Sequence, residues 1–219
     1  MNSPMIQLLV LAGIAVFLIL RLKNVLGTRE GFEKPPVIEP SSTRRTGPAL
    51  EVIEGGPDLD ITDHVPEDSD QGKALAQMKR LEPSFGVGDF LGGARGAYEM
   101  IVMGFEQGAL SDIQPFLSED IYESFVDGVA DREDQGLTIE ANFIGVREIE
   151  LVDATLDDTT KEAELTIRFV AELTSAVRDS AGDIIEGSVI EAKKQKDTWV
   201  FARIMGSDDP NWLLVSTDG

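Results

Sequence analysis

Cysteine is absent from the 219-residue chain, and histidine occurs once, at His64. Without cysteine there are no disulfides, thiolate metal ligands, cysteine nucleophiles or lipidated cysteines. His64 lies in an acidic, proline-rich stretch, so the sequence offers no histidine for a Ser-His-Asp triad or a metal cluster in a folded domain. We therefore predict no catalytic residue, no metal site and no cofactor.

Basic residues are also scarce. The chain has 19 lysines and arginines against 40 aspartates and glutamates, which gives a formal charge of −21. A surface of this sign repels the phosphates of nucleic acids and, in general, anionic lipids. We therefore exclude nucleic acid as a partner. Hydrophobic residues make up 42% of the chain, enough for one packed domain with extensions.

Residues 5–20 form an uncharged hydrophobic run of 16 residues. As a helix this run spans about 24 Å, short of the ~30 Å hydrocarbon core of a bilayer. The stems of Arg21 and Lys23 extend its reach. A cleaved signal peptide needs basic residues before the run and a small-residue cleavage site after it, and neither is present. A buried core helix is the other interpretation. We predict a membrane anchor with the apolar residues Met5, Leu8, Val10, Ile14, Phe17 and Leu20.

The basic residues Arg21, Lys23 and Arg29 all follow the hydrophobic run. Positively charged flanks stay on the cytoplasmic side of a membrane, so these residues set the topology. We predict a single-pass protein with its N-terminus outside and the rest of the chain in the cytoplasm.

The predicted domains are an anchor at residues 1–26, an acidic, proline-rich disordered linker at 27–84, and a folded domain at 85–219. A short amphipathic helix at 73–82 interrupts the linker. Either this helix packs on the domain or its basic residues contact lipid headgroups. Its apolar and basic side chains are Leu75, Met78 and Leu81, and Lys73, Lys79 and Arg80.

Helical periodicity marks the first part of the folded domain. Apolar residues from Phe90 to Phe105 recur at helical spacing, and Gly108 is a typical helix end. A second long helix is predicted at 119–135, with a short helix or turn at 112–117 before it. Three glycines inside the first helix are predicted to allow close packing on a sheet or to loosen the first turn: Gly92, Gly93 and Gly96.

After Gly136 the apolar period changes from 3.6 to 2, which indicates strands. The pattern predicts an α+β fold, with helices packed on a curved four-stranded antiparallel sheet. The predicted strands are residues 137–151, 163–173, 184–192 and 198–205, and the predicted turns are 178–183 and 193–197.

Two hypotheses concern the interior of this fold. Arg147 and Arg203 share the phase of apolar neighbours and could pair with Glu99 or Glu106, as a structural ion pair or, less in keeping with the pattern, a catalytic one. A pocket between the helices and the sheet is the second hypothesis, although ordinary core packing explains the same aromatic residues. Its predicted lining is Tyr98, Phe105, Phe143, Phe169 and Trp199.

Several dispersed motifs resemble the Tim44-like domain and the bacterial adaptor proteins of TimA type that carry it. The motifs are RLKNVLGTREGFEKPP at 21–36, FLGGARGAYEMIVMGFEQGALSDIQPFLSEDIYESFVDGVADRE at 90–133, AELTIRFVAEL at 163–173 and WVFARIMGSDDPNWLLV at 199–215. The resemblance implies a nuclear-transport-factor-two-like cone and a bacterial inner membrane location. A mitochondrial relative tethers a heat-shock chaperone to a translocon and contacts lipid, but its basic presequence and chaperone-binding region have no counterpart here.

Four functions are consistent with different parts of this pattern. The first is a non-enzymatic adaptor that presents the domain to protein partners or clients in membrane-protein translocation or quality control. The second is a lipid or hydrophobic-ligand binding module at the membrane, with phospholipid contact. The third, an enzyme, is disfavoured by the lack of histidine and cysteine in the domain. The fourth, a secretion-system scaffold across the membrane, is opposed by the predicted topology.

Overall fold

The computed structural model describes residues 56–218. The predicted anchor at 5–20, the topology-setting residues Arg21, Lys23 and Arg29, and the first half of the predicted linker lie outside the described residues. Within 56–218, no helix combines the length and apolar character needed to cross a membrane.

Helices precede strands along the chain, as the periodicity predicts. The helices are α1 (Leu59–Thr62), α2 (Asp70–Leu81), α3 (Val87–Gln107), α4 (Leu110–Ile113) and α5 (Glu119–Asp134), with a 3-10 turn at Gln114–Phe116 before α5. The strands are β1 (Thr138–Leu156), β2 (Glu162–Arg178), β3 (Ile184–Ile204) and β4 (Leu213–Asp218). The helices pack against an open antiparallel sheet with the order β1-β2-β3-β4. This confirms the predicted α+β class.

Local sequence accounts for the ends of the two long helices. Gly108 closes α3 with a left-handed φ of 70°, a conformation that glycine adopts without steric cost. The hydroxyl of Ser118 accepts a hydrogen bond from the amide of Ile121 and caps α5. The acidic residues Glu119 and Asp120 in the first turn of α5 suit the positive end of the helix dipole.

The sheet is centred on β2, whose inward side chains fill the core. They alternate along the strand, as predicted, and are all buried: Ala163, Leu165, Ile167, Phe169, Ala171 and Leu173. Full burial of large aliphatic and aromatic side chains stabilises a fold by roughly 1.5–3 kcal/mol each. The main apolar core therefore lies against the inward face of β2, between its neighbours β1 and β3.

The predicted turn at 193–197 is wrong, because these residues continue β3. Lys193 is paired with Leu173, and Asp197 with Phe169, in one unbroken strand of 21 residues. The three lysines of this segment, Lys193, Lys194 and Lys196, are exposed to solvent, which is consistent with its polar sequence. The fourth strand is β4, which pairs with the last part of β3.

The predicted boundary at Phe85 is too late in the chain. Helix α2 begins after Ser69, which caps it, and its residues Leu75 and Met78 are fully buried in the core. Ile61 of α1 is also buried. The apolar face of α2 therefore packs on the domain, as the first of the two interpretations held. Residues 59–81 are thus a part of the fold and not a linker.

Asp60 connects this N-terminal segment to the start of α3. Its carboxylate accepts hydrogen bonds from the amides of Val87 at 2.8 Å and Gly88 at 2.9 Å, and Lys79 is 3.0 Å away. Burial acts to raise the pKa of Asp60, but the hydrogen bonds from Gly88, Lys79 and Val87 outweigh it and lower the pKa. Asp60 is thus a capping residue for a helix 27 positions later.

Candidate functional site

Three of the five predicted pocket residues form a packed aromatic cluster. Tyr98 and Phe169 stack with ring centroids 4.4 Å apart, and Trp199 lies 4.6 Å from Tyr98. Tyr98 and Phe169 are fully buried, and Trp199 is 5% exposed. Phe143 is partly buried at the edge of the cluster, 6.1 Å from Tyr98. The space between these rings is filled, so this part of the predicted pocket is core.

A buried carboxylate accompanies this cluster. The hydroxyl of Tyr98 donates to Asp197 Oδ2, and Gln195 Nε2 donates to the same oxygen at 2.9 Å. Asp197 is 7% exposed. Burial and, secondly, the bond to Asp197 raise the pKa of Tyr98 far above its usual value, so the hydroxyl keeps its proton. The sequence pattern missed Asp197 because it assigned 193–197 to a turn.

Phe105, the fifth predicted residue, lies at the C-terminal end of α3, away from the stacked rings. Its ring centroid is 4.6 Å from that of Phe125, and the Arg132 guanidinium lies 4.6 Å above it. Phe105 and Trp199 both line a cleft of about 460 Å³. We call this the acidic cleft and define it by Phe105, Glu106, Phe125, Asp197, Trp199 and Asp218.

Glu106 is a partly buried carboxyl of the acidic cleft. Burial raises its pKa, and Arg132, Ser175 and Lys193 only partly oppose that effect. The hydroxyl of Ser175 lies 3.4 Å from Glu106 Oε2. The cleft thus combines aromatic walls with carboxyl groups.

A second cleft, of about 440 Å³, lies along the N-terminal half of α3. We call it the glycine groove and define it by Gly92, Gly93, Gly96, Met100, Phe116 and Trp212. A Cβ atom added at any of the three glycines would meet nothing within 4 Å. The expectation that these glycines pack closely on the sheet is therefore wrong: their missing side chains leave the floor of the groove open.

The wall of the glycine groove is Trp212, which packs against other side chains of the domain. Trp212 packs edge-on against Phe90, with centroids 4.8 Å apart, and 5.9 Å from Phe85. The Arg203 guanidinium lies 5.5 Å from the same indole. Met100 on the opposite side is 39% exposed. The groove therefore presents apolar surface to solvent.

The predicted partners of the two arginines are wrong. Arg203 pairs with Glu82, in the segment predicted as linker, and its side chain is 8% exposed. The hydrogen bond from Arg203 lowers the pKa of Glu82. Burial acts to raise this pKa, and the hydrogen bond from the Gly206 amide lowers it further. Arg147 lies beside a register shift in β1 and forms a surface pair with Glu172. The irregularity changes the phase of the strand at Arg147, whose guanidinium donates to Glu172 and not to Glu99 or Glu106.

Helices packed on an open, four-stranded antiparallel meander, with two clefts along the longest helix, define an α+β domain. A family model described as the Tim44-like domain matches residues 71–219, and the chain belongs to this family. The match starts within α2, which agrees with the buried position of that helix.

No curated protein matches the chain. Among solved structures, the intermembrane-space region of the chloroplast protein ARC6 is similar at 11% sequence identity and a TM-score of 0.38. That similarity covers 57% of this chain and 94% of the ARC6 chain. It is too low to carry an argument about this protein.

Proposed function

We propose that the protein is a non-enzymatic adaptor of TimA type, tethered to the bacterial inner membrane by residues 5–20. Its Tim44-like domain is held on the cytoplasmic side and binds protein partners in membrane-protein translocation or quality control. Membership of the Tim44-like family supports a role at a membrane. The hydrophobic run and the basic residues after it support the anchor and its direction.

The observation that carries the adaptor function is the glycine groove. Its lining is mostly apolar, and its volume lies within the range of ~300–1,000 Å³ typical of binding sites. Glycines on the floor let a partner backbone approach α3 closely. An apolar segment of a protein partner fits this surface better than a polar one, because only Asp89 contributes a charge to the lining.

The same lining argues against catalysis in the groove. It contains glycine, alanine, phenylalanine, methionine, tryptophan and proline with one aspartate and one asparagine. No group there has the chemistry of a nucleophile with an adjacent base. An apolar lipid chain is the second candidate occupant, since the groove is apolar and the family supports a membrane setting.

Site-specific photocrosslinking in intact cells tests the occupant. A photoreactive phenylalanine at Gly96 reports on the groove floor, and the same residue at Glu99 is the matched control, since Glu99 is exposed on α3 but outside the lining. We expect a discrete protein adduct from position 96 and not from 99. Equal adducts from both positions, or a phospholipid adduct alone from 96, would overturn the adaptor function.

The tether is tested separately. Replacing Ile14 and Phe17 with aspartate is expected to release the protein to the soluble fraction, because charges at the centre of a spanning helix oppose insertion. Alkaline phosphatase fused after Gly219 is expected to be inactive. Persistent membrane association of the double variant would show that the run is not the anchor, and an active fusion would reverse the topology.

A further inference from the structure

Asp197 has acceptor capacity that the described residues leave unused. Both hydrogen bonds to its side chain, from Tyr98 and Gln195, end on Oδ2. Within residues 56–218, no group donates to Oδ1. A carboxylate accepts about four hydrogen bonds, so Oδ1 is free to accept one from a bound ligand.

Oδ1 is not sealed inside the protein. Among the described residues, the buried side-chain polar atom without a partner is Arg203 Nε, and Asp197 contributes no such atom. Asp197 itself is 7% exposed and lines the acidic cleft. The free oxygen of a side chain that is more than nine-tenths buried is therefore reached through the cleft.

The walls of the acidic cleft suit an apolar group. Phe105, Phe125 and Trp199 line the same cleft as Asp197, and the volume of about 460 Å³ lies in the range of small-molecule sites. Aromatic rings attract a cation as well as an apolar body, with tryptophan the strongest of the three types.

The charges of the cleft favour a cation. Glu106, Asp197 and Asp218 line it, and no lysine or arginine does. Two cations lie near its rim. Arg132 already donates to the carbonyl of Phe105 at 2.6 Å and lies over the Phe105 ring, and Lys193 is exposed on β3. An anionic ligand would meet three carboxyl groups with only these rim charges to offset them.

We propose that the acidic cleft binds a small amphipathic ammonium ion, with its apolar body against Phe105, Phe125 and Trp199 and its N–H groups donating to Asp197 Oδ1 and Glu106. This inference goes beyond the adaptor function, because the site is separate from the glycine groove and does not depend on the membrane anchor. The carboxyl groups oppose binding of the carboxylate of a fatty acid.

Fluorescence titration of the detergent-solubilised full chain tests the proposal. The chain has two tryptophans, so Trp212→Phe leaves Trp199 as the only reporter. The probes are phenethylammonium, neutral 2-phenylethanol and anionic 3-phenylpropanoate, which share one apolar body. We expect saturable quenching by the cation, with an affinity at least about tenfold above that of the anion. Equal affinity for the three probes would overturn the proposal.

Two variants locate the ammonium. Asp197→Asn keeps the shape of the side chain and is expected to weaken phenethylammonium binding about tenfold or more. Glu106→Gln, in a less buried position, is expected to weaken binding several-fold and keeps the test valid if Asp197→Asn does not fold. Glu119→Gln is the matched control: it removes one exposed carboxylate outside the cleft and should leave the affinity unchanged. Unchanged affinity in Glu106→Gln, and in Asp197→Asn if that variant folds, would exclude this site.

Discussion

Glycine has opposite structural roles in the two halves of α3. In the N-terminal half, Gly92, Gly93 and Gly96 leave space open and form the floor of an apolar groove. In the C-terminal half, Gly104 is in close contact with Ile113, and Glu106 lies in a cleft with other carboxyl groups. One helix thus carries two surfaces of different chemistry. Glycine in a helix indicates close packing at one position and an open surface at another.

The largest expected effect of a single change in α3 is at Gly104. A Cβ atom there would lie 2.6 Å from Ile113 Cγ2, and Ile113 is 1% exposed, so it has little room to move. We expect Gly104→Ala to lower the free energy of unfolding by about 1–3 kcal/mol, in spite of the better helix propensity of alanine. Denaturant unfolding of the full chain in detergent measures this, and a gain in stability would show that the C-terminal half is as open as the N-terminal half.

An opposite and smaller effect is expected at Gly96. Because an added Cβ meets nothing within 4 Å, Gly96→Ala gains helix propensity without a clash. We expect the free energy of unfolding to rise by about 0.5–1 kcal/mol in the same assay. Gly96 and Gly104 occupy the same helix, so each variant is the control for the other. A loss of stability at Gly96 would mean that the groove floor is packed.

The smallest effect is expected from Glu106→Gln, and it depends on pH. Burial raises the pKa of Glu106 above its ordinary 4.5, so the folded state binds its proton more tightly than the unfolded state does. Stability from this group is fully present below pH 4.5 and is lost as pH rises through the folded pKa. At pH 7 Glu106→Gln should therefore be more stable than the parent chain, and this advantage should shrink as the pH approaches 4.5. Equal stability at both pH values would contradict the burial of Glu106.

The helices were predictable because their signals are local. The 3.6 period, Gly108 and the acidic first turn of α5 place α3 and α5 to within a few residues of their observed ends. The alternation along β2 was equally clear, because that strand is buried between two neighbours. The polar middle of β3 shows no apolar alternation. Lys193 and its neighbours are held in the strand by pairing with β2, which the sequence pattern does not report.

Most features of the two candidate clefts could not be predicted from the sequence. The sequence pattern predicted all five aromatic residues as pocket lining, but it did not show that Tyr98 and Phe169 stack in the core while Phe105 and Trp199 line a cleft. The glycine groove exists because Gly92, Gly93 and Gly96 have no side chains. Its wall is Trp212, which the turn before β4 brings to α3. The ion pair of Glu82 with Arg203 joins residues 121 positions apart, a contact that periodicity cannot report.

The capping of α3 by Asp60 couples the N-terminal segment of the domain to the first turn of α3. A pull on the chain ahead of residue 56 reaches Asp58 and Asp60 first, where Lys79 holds both carboxylates. If those contacts yield, the amides of Val87 and Gly88 lose their acceptor and the first turn of α3 frays. Asp89 and Phe90 of that turn line the glycine groove, so the contacts of Asp60 also fix one end of the groove.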